Sequence, residues 1–74
     1  MRTLAVHPDA QEPMLQEVVQ LAGWAGSGGE AKHLIQAGDV LVNGVAEKRR
    51  SHRLRVGDRI ACGGDEAVLV SDGH

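Results

Sequence analysis

A chain of 74 residues has room for one domain, and folding at this size hides only about 60% of the unfolded surface, so the core is expected to be thin. The apolar share of 42% is ordinary, but Trp24 is the single aromatic residue and Cys62 the single cysteine, which excludes an internal disulfide and a cysteine-pair zinc site. The net charge of −2 is unevenly placed. Lys32, Lys48, Arg49, Arg50, Arg53, Arg55 and Arg59 stand against only Asp39, Glu47 and Asp58, while both flanking segments are acidic. A local basic face of this kind attracts polyanions whatever the net charge, because local potential governs encounter.

In chain order, Thr3 to Val6 reads as a short strand ended by Pro8-Asp9. From Pro13, Leu15, Val18, Val19 and Ala22 fall at i, i+3, i+4 and i+7, which predicts a first helix with Pro13 in its first turn and Gly23 at its exit. Ser27-Gly28-Gly29-Glu30 has the form of a capping box, with hydroxyl and carboxylate each accepting from a free backbone N–H, and predicts a second helix from about Gly28. Its buried stripe is Ala31, Leu34 and Ile35; Lys32, His33 and Gln36 lie towards the other side, and Gly38 closes it.

Val40 to Val42 reads as a strand, and Asn43-Gly44 as a two-residue hairpin turn returning through Val45. The stretch from Glu47 to Arg55 is polar and basic. If Leu54 and Val56 face the core, alternation turns Arg53 and Arg55 outward together. Val56-Gly57-Asp58 predicts a tight turn into a strand from Arg59 to Cys62, Gly63-Gly64-Asp65 another turn, Ala67 to Val70 a last strand, and Ser71 to His74 a frayed tail. The architecture expected is α+β: two N-terminal helices packed on a small, mainly antiparallel sheet.

Four segments, Leu15-x-x-Val-Val-x-Leu-Ala-Gly-Trp24, Ser27-Gly-Gly-Glu-Ala-Lys-His-Leu-Ile35, Gly38-Asp-Val-Leu-Val-Asn-Gly44 and Arg53-Leu-Arg-Val-Gly-Asp-Arg-Ile60, occur in the order and spacing of a known family. Together they resemble the RNA-binding domain first seen in small-subunit ribosomal protein four, the S-four domain or alpha-L motif. They are nearest to its stand-alone bacterial YbcJ-like branch, which the run Glu47-Lys48-Arg49-Arg50 also resembles. The match covers about 14–62 of a single domain spanning 1–74. The resemblance implies a module that grips the sugar-phosphate backbone of structured RNA, ribosomal or transfer RNA, with the second helix and the hairpin after it. Carried over by position, it implies contacts from Ser27, Gly28, Lys32, His33, Gln36, Asn43, Lys48, Arg49, Arg50 and Arg53. Many members of the family have arginine where this chain has Gly28; Gly28 and Gly29 leave bare N–H groups at a helix start instead.

Other chemistry finds less support. Gly26-Ser27-Gly28-Gly29 lacks the spacing and the lysine of a nucleotide loop, and the four histidines stand apart from any carboxylate or cysteine at metal-ligand spacing. Cys62 reads as a small buried hydrophobe, and Trp24 as filling a core gap or covering the helix junction; one aromatic residue makes no platform for stacked bases. A non-catalytic protein is expected, since Ser27 has no evident acid and base partners and no carboxylate pair is apparent. The N-terminal segment lacks the apolar core of a secretory signal, and no run is long enough to span a membrane, so a cytoplasmic protein is expected. A monomer is expected as well, with the ribosome or an RNA-processing protein as a further partner. Two alternatives are a protein-interaction module that docks an acidic partner and a β-grasp sulfur carrier, whose C-terminal Gly-Gly this chain replaces with Asp72-Gly73-His74.

Overall fold

The switch from a helical repeat of apolar residues to a repeat of two, near Gly38, divides the molecule. In a computed structural model, which describes residues 1–7 and 11–72, the elements are β1 (Arg2–Val6), α1 (Leu15–Leu21), α2 (Gly28–Gln36), β2 (Val40–Val42), β3 (Val45–Ala46), β4 (Arg59–Cys62) and β5 (Asp65–Ser71). One sheet contains all five strands in the order β1-β5-β4-β2-β3; β1 runs parallel to β5 and every other pair is antiparallel. This is the α+β arrangement that the sequence predicts. Pro8-Asp9, expected to end the first strand, lies outside the described residues.

Both helices place their apolar stripes on one side of the sheet. Leu15, Val18 and Val19 of α1 and Ala31 and Ile35 of α2 close over Val40, Ile60 and Leu69, and Leu4, Val42, Trp24 and Leu34 pack at the edges. The core is almost wholly aliphatic, as the composition requires. Burial of each such Val, Leu or Ile contributes about 1.5–3 kcal/mol before the entropy of ordering it is counted.

Each helix ends on a glycine with positive φ. At the end of α2, Gly38 (φ 82°) lets its N–H reach the Ile35 carbonyl at 3.0 Å and the Asp39 N–H reach that of Leu34 at 3.1 Å, so two otherwise orphaned acceptors are satisfied. Gly23 does the same for α1, where Trp24 N–H meets the Val19 carbonyl at 3.1 Å. The next reversal is the hairpin between β2 and β3, whose two central residues, Asn43 (φ 52°) and Gly44 (φ 86°), are both left-handed.

Several expectations need correction. Helix α1 starts at Leu15, two residues after Pro13, because the Pro13 carbonyl accepts the Leu54 N–H at 2.9 Å and Met14 bridges to Arg53 in extended conformation. At α2 only the hydroxyl half of the expected capping box is made, Ser27 Oγ accepting from Glu30 N–H at 3.2 Å. Val56 is 56% exposed and does not join Leu54 in the core, since it occupies the corner of a turn that Gly57 (φ 97°) completes. Ser71 belongs to β5, opposite Val6, and the Asp72 N–H bonds to the Val6 carbonyl; residues 73 and 74 lie outside the described residues. Cys62 is half-buried at the core's edge.

Candidate nucleic-acid interface

The basic stretch between β3 and β4 has no regular structure of its own, yet its backbone is fixed to its surroundings. Glu47 N–H bonds to the Val40 carbonyl at 3.1 Å, so the chain leaves β3 still alongside β2. A turn follows, closed by His52 N–H on the Arg49 carbonyl at 3.2 Å. The carbonyls of Arg50 and His52 then accept the N–H groups of Gln16 (3.0 Å) and Leu15 (2.8 Å). The first N–H groups of a helix have no partner within it, so the loop caps α1 with its own backbone and is located by it. Leu54, fully buried, and its bond to Pro13 fasten the far end.

Glu47 organises the near end. Its carboxylate accepts the Arg49 backbone N–H at 3.1 Å and the Arg49 guanidinium through Nε (3.1 Å) and Nη2 (3.3 Å), and lies 3.7 Å from His52 Nδ1. The Arg49 hydrogen bonds hold the carboxyl below the usual glutamate range, and the same pairing raises the guanidinium's pKa further.

The candidate residues fall into three groups. Lys32, His33 and Gln36 share the exposed side of α2, and Lys48 comes to the C-terminal end of that helix, its ε-carbon 3.5 Å from where a Gly38 Cβ would stand. Arg49 and Arg50 follow directly in the turn. Ser27 and Gly28 lie at the other end of α2, a helix length of about 13 Å away. Asn43 and Arg53, on neither α2 nor the turn at 49–52, are each engaged within the fold. The Asn43 amide donates to Asp58 Oδ1 (3.1 Å) and accepts from Arg59 N–H (3.0 Å), while Arg53 Nη1 donates to the Glu12 carbonyl at 2.7 Å. Arg53 and Arg55 both point outward, and Glu12 engages both, its carboxylate 3.1 Å from Arg55 Nε. Among the described residues, the side chains of Lys32, Lys48, Arg50 and Arg59 make no hydrogen bond or ion pair within the chain.

The acidic β4–β5 hairpin has a different character. Asp39, Leu41, Ala61, Cys62, Asp65 and Glu66 line a shallow recess of about 350 Å³. Burial, then the nearby Asp39 and Asp65, push the Cys62 thiol up, which is the reverse of what activates a nucleophile. Trp24 covers the junction after α1, with its indole N–H on Asp65 Oδ2 at 2.8 Å and the Arg2 guanidinium 5.7 Å from its ring centre. The ring is thus committed within the fold. Among the described residues, no group of three or more His, Cys, Asp or Glu side chains could hold a metal ion, and no helix is long and apolar enough to cross a membrane.

Sequence reasoning found the basic stretch by its charge but did not single out Glu47, which in a list of residues is one acid among cations. The spacing Glu-x-Arg within a loop is too common a signal to have marked it.

Comparison with known proteins places this geometry. The S4 domain profile matches residues 11–71. YbcJ of Escherichia coli (strain K12) and YbcJ of Shigella flexneri are each 30% identical over 69 residues, covering 93% of this chain and 94% of theirs. The solution structure of the E. coli protein superposes with a TM-score of 0.64 over 95% of this chain and 85% of that one, and is described as revealing an alpha-L motif involved in RNA binding. With its two helices on a mainly antiparallel sheet and this match over most of its length, the chain belongs to the S4 domain family.

Proposed function

We propose that the protein is a non-catalytic, monomeric module of the cytoplasm that binds structured RNA, with ribosomal or transfer RNA as the target class, through contacts to the phosphate backbone. The observation that carries this reading is the set of unpaired cations, Lys32 on α2 and Lys48 and Arg50 on a loop that α1 and β2 hold in place. Membership of the S4 family and the RNA-binding description of the E. coli relative support it. Arg49 offers its outer edge beside them, and His33, Gln36 and the N–H groups at Ser27 and Gly28 offer further hydrogen-bonding contacts along the same helix. Arg53 offers a further cation on the α1 side, beyond the turn at 49–52, and Asn43 shapes the hairpin from which the loop departs. With its one aromatic side chain engaged, the surface suits recognition of a backbone shape more than stacking on unpaired bases.

The test is a Lys32→Glu, Lys48→Glu, Arg50→Glu variant against unfractionated transfer RNA at two salt concentrations. Three phosphate contacts correspond to a slope of log K on log salt of roughly −2 to −3. Loss of binding and of that slope, with the fold intact by circular dichroism, is expected. Wild-type protein that ignores RNA at low salt but captures an acidic protein would overturn the reading in favour of a protein-docking role.

A further inference from the structure

We propose that Glu47 is a positioning residue of the RNA-binding loop, an internal anion around which the cations at 48–50 are arranged. The inference rests on the RNA-binding reading and deepens it. Simple charge counting gives Glu47 the opposite role, since a carboxylate within a basic surface should repel phosphate. Three observations argue for positioning.

First, the carboxylate faces inward: its side chain is 19% exposed, against 72% for Arg49, so it lies beneath the surface that a ligand meets. Second, one of its bonds is to a backbone N–H, that of Arg49, which fixes the course of the chain and not merely a side chain. Third, it links both ends of the turn through Arg49, whose Nη2 also meets His52 Nδ1 at 3.3 Å at the turn's close, while its own N–H is tied to β2. Removing the carboxylate therefore frees the turn between β2 and the cap on α1. A fork of two N–H groups on one carboxylate also leaves Arg49 with Nη1 and its outer edge for a phosphate, in a fixed orientation. Binding then needs less ordering of the loop, which is where preorganisation gains affinity.

The two roles predict opposite signs. For Glu47→Ala, positioning predicts transfer RNA binding weaker by roughly five-fold, the scale of re-ordering one or two long side chains. Heparin, a polyanion without RNA structure, should bind as well or better, because the surface has gained a positive charge. Glu47→Gln, which keeps an acceptor for the Arg49 N–H, should recover part of the lost RNA affinity. A readout without ligand accompanies these: the Arg49 amide and Nε–H should exchange with solvent markedly faster in Glu47→Ala, while amides of α2 and β4 keep their protection. Tighter binding of transfer RNA by Glu47→Ala, in parallel with heparin, would overturn the proposal, as would unchanged exchange at Arg49. If the wild type fails to bind transfer RNA, the functional reading fails, and the exchange data alone decide whether Glu47 orders the loop.

Discussion

Replacing Asn43 by glycine separates a structural role for this residue from the RNA contact that family resemblance implies. Glycine keeps the left-handed φ of 52° without strain, so the change removes two side-chain hydrogen bonds, to Asp58 Oδ1 and from Arg59 N–H, and little else. Each exposed bond of this kind contributes about 0.5–1.5 kcal/mol, so the loss of two should be about 1–3 kcal/mol, a large share of the roughly 5 kcal/mol that so small a domain has. Alanine loses the same bonds and adds about 1–2 kcal/mol for a Cβ in the left-handed region. With a urea m-value on the order of 1 kcal/mol per molar, the midpoint should fall by about 1–3 M for Asn43→Gly and further for Asn43→Ala. Transfer RNA affinity, measured where the variant is fully folded, should stay within about two-fold of wild type, since the amide is occupied by Asp58 and Arg59. An unchanged urea midpoint for Asn43→Gly would remove these bonds from the stability of the hairpin, and an RNA affinity ten-fold lower in folded protein would make Asn43 an RNA contact after all.

Gly28→Arg should be tolerated, since a Cβ at this helix start meets only Gln20 Nε2 at 3.8 Å and the propensity gain of up to about 1 kcal/mol offsets the cost of a cation at the positive end of the helix dipole, and transfer RNA should bind more tightly. Unchanged RNA affinity in the folded variant would show that no phosphate approaches this end of α2. Asp65 has its pKa lowered, first by the Trp24 N–H bond and then by Arg2, so it contributes stability at pH above the ordinary aspartate value that is lost as the pH falls through its lowered one. Urea melts followed by Trp24 fluorescence should show this acid-side loss in the wild type and a smaller one in Asp65→Asn; equal losses would remove the carboxylate from the account. The Cys62 thiol, raised by burial first and by Asp39 and Asp65 next, should alkylate more slowly than a free cysteine at mildly alkaline pH, with a rate still climbing where the free thiol has reached its plateau. Alkylation as fast as that of the free thiol would refute the assignment.

The parts of the fold that could be read from the sequence are those set by local chemistry. Helical spacing placed Leu15, Val18, Val19 and Ala22 in the core, and Gly23, Gly38 and Asn43-Gly44 terminate elements through backbone conformations that other residues resist. What was misread depends on partners distant in sequence. Pro13 is well suited to a first helical turn, but its carbonyl is drawn to Leu54, forty-one residues away, and the helix begins later. Val56 has the alternation of a strand residue, but the turn at Gly57 leaves it at a corner. Ser71 and Asp72 look like a polar tail, yet β1 supplies a parallel edge that keeps them paired. The candidate site divides in the same way: charge density located the loop, while the distinction between free cations and those bound by Glu12 and Glu47 needed coordinates.

That distinction also explains how a chain of net charge −2 can offer a binding surface for a polyanion. Its acids largely have work inside the fold. Glu17 and Glu30 sit in the first turns of α1 and α2, where the helix dipole favours a negative charge, and Asp58 accepts the Arg55 N–H that closes a turn. Glu12, Glu47 and Asp65 are joined to Arg55, Arg49 and Arg2. A paired charge acts as a dipole, whose field decays faster with distance than that of a lone ion, and salt at physiological strength screens what remains beyond about 8 Å. The lone cations at Lys32, Lys48 and Arg50 are not cancelled in this way, so the surface proposed on α2 and the loop keeps unpaired positive charge although the whole molecule is acidic.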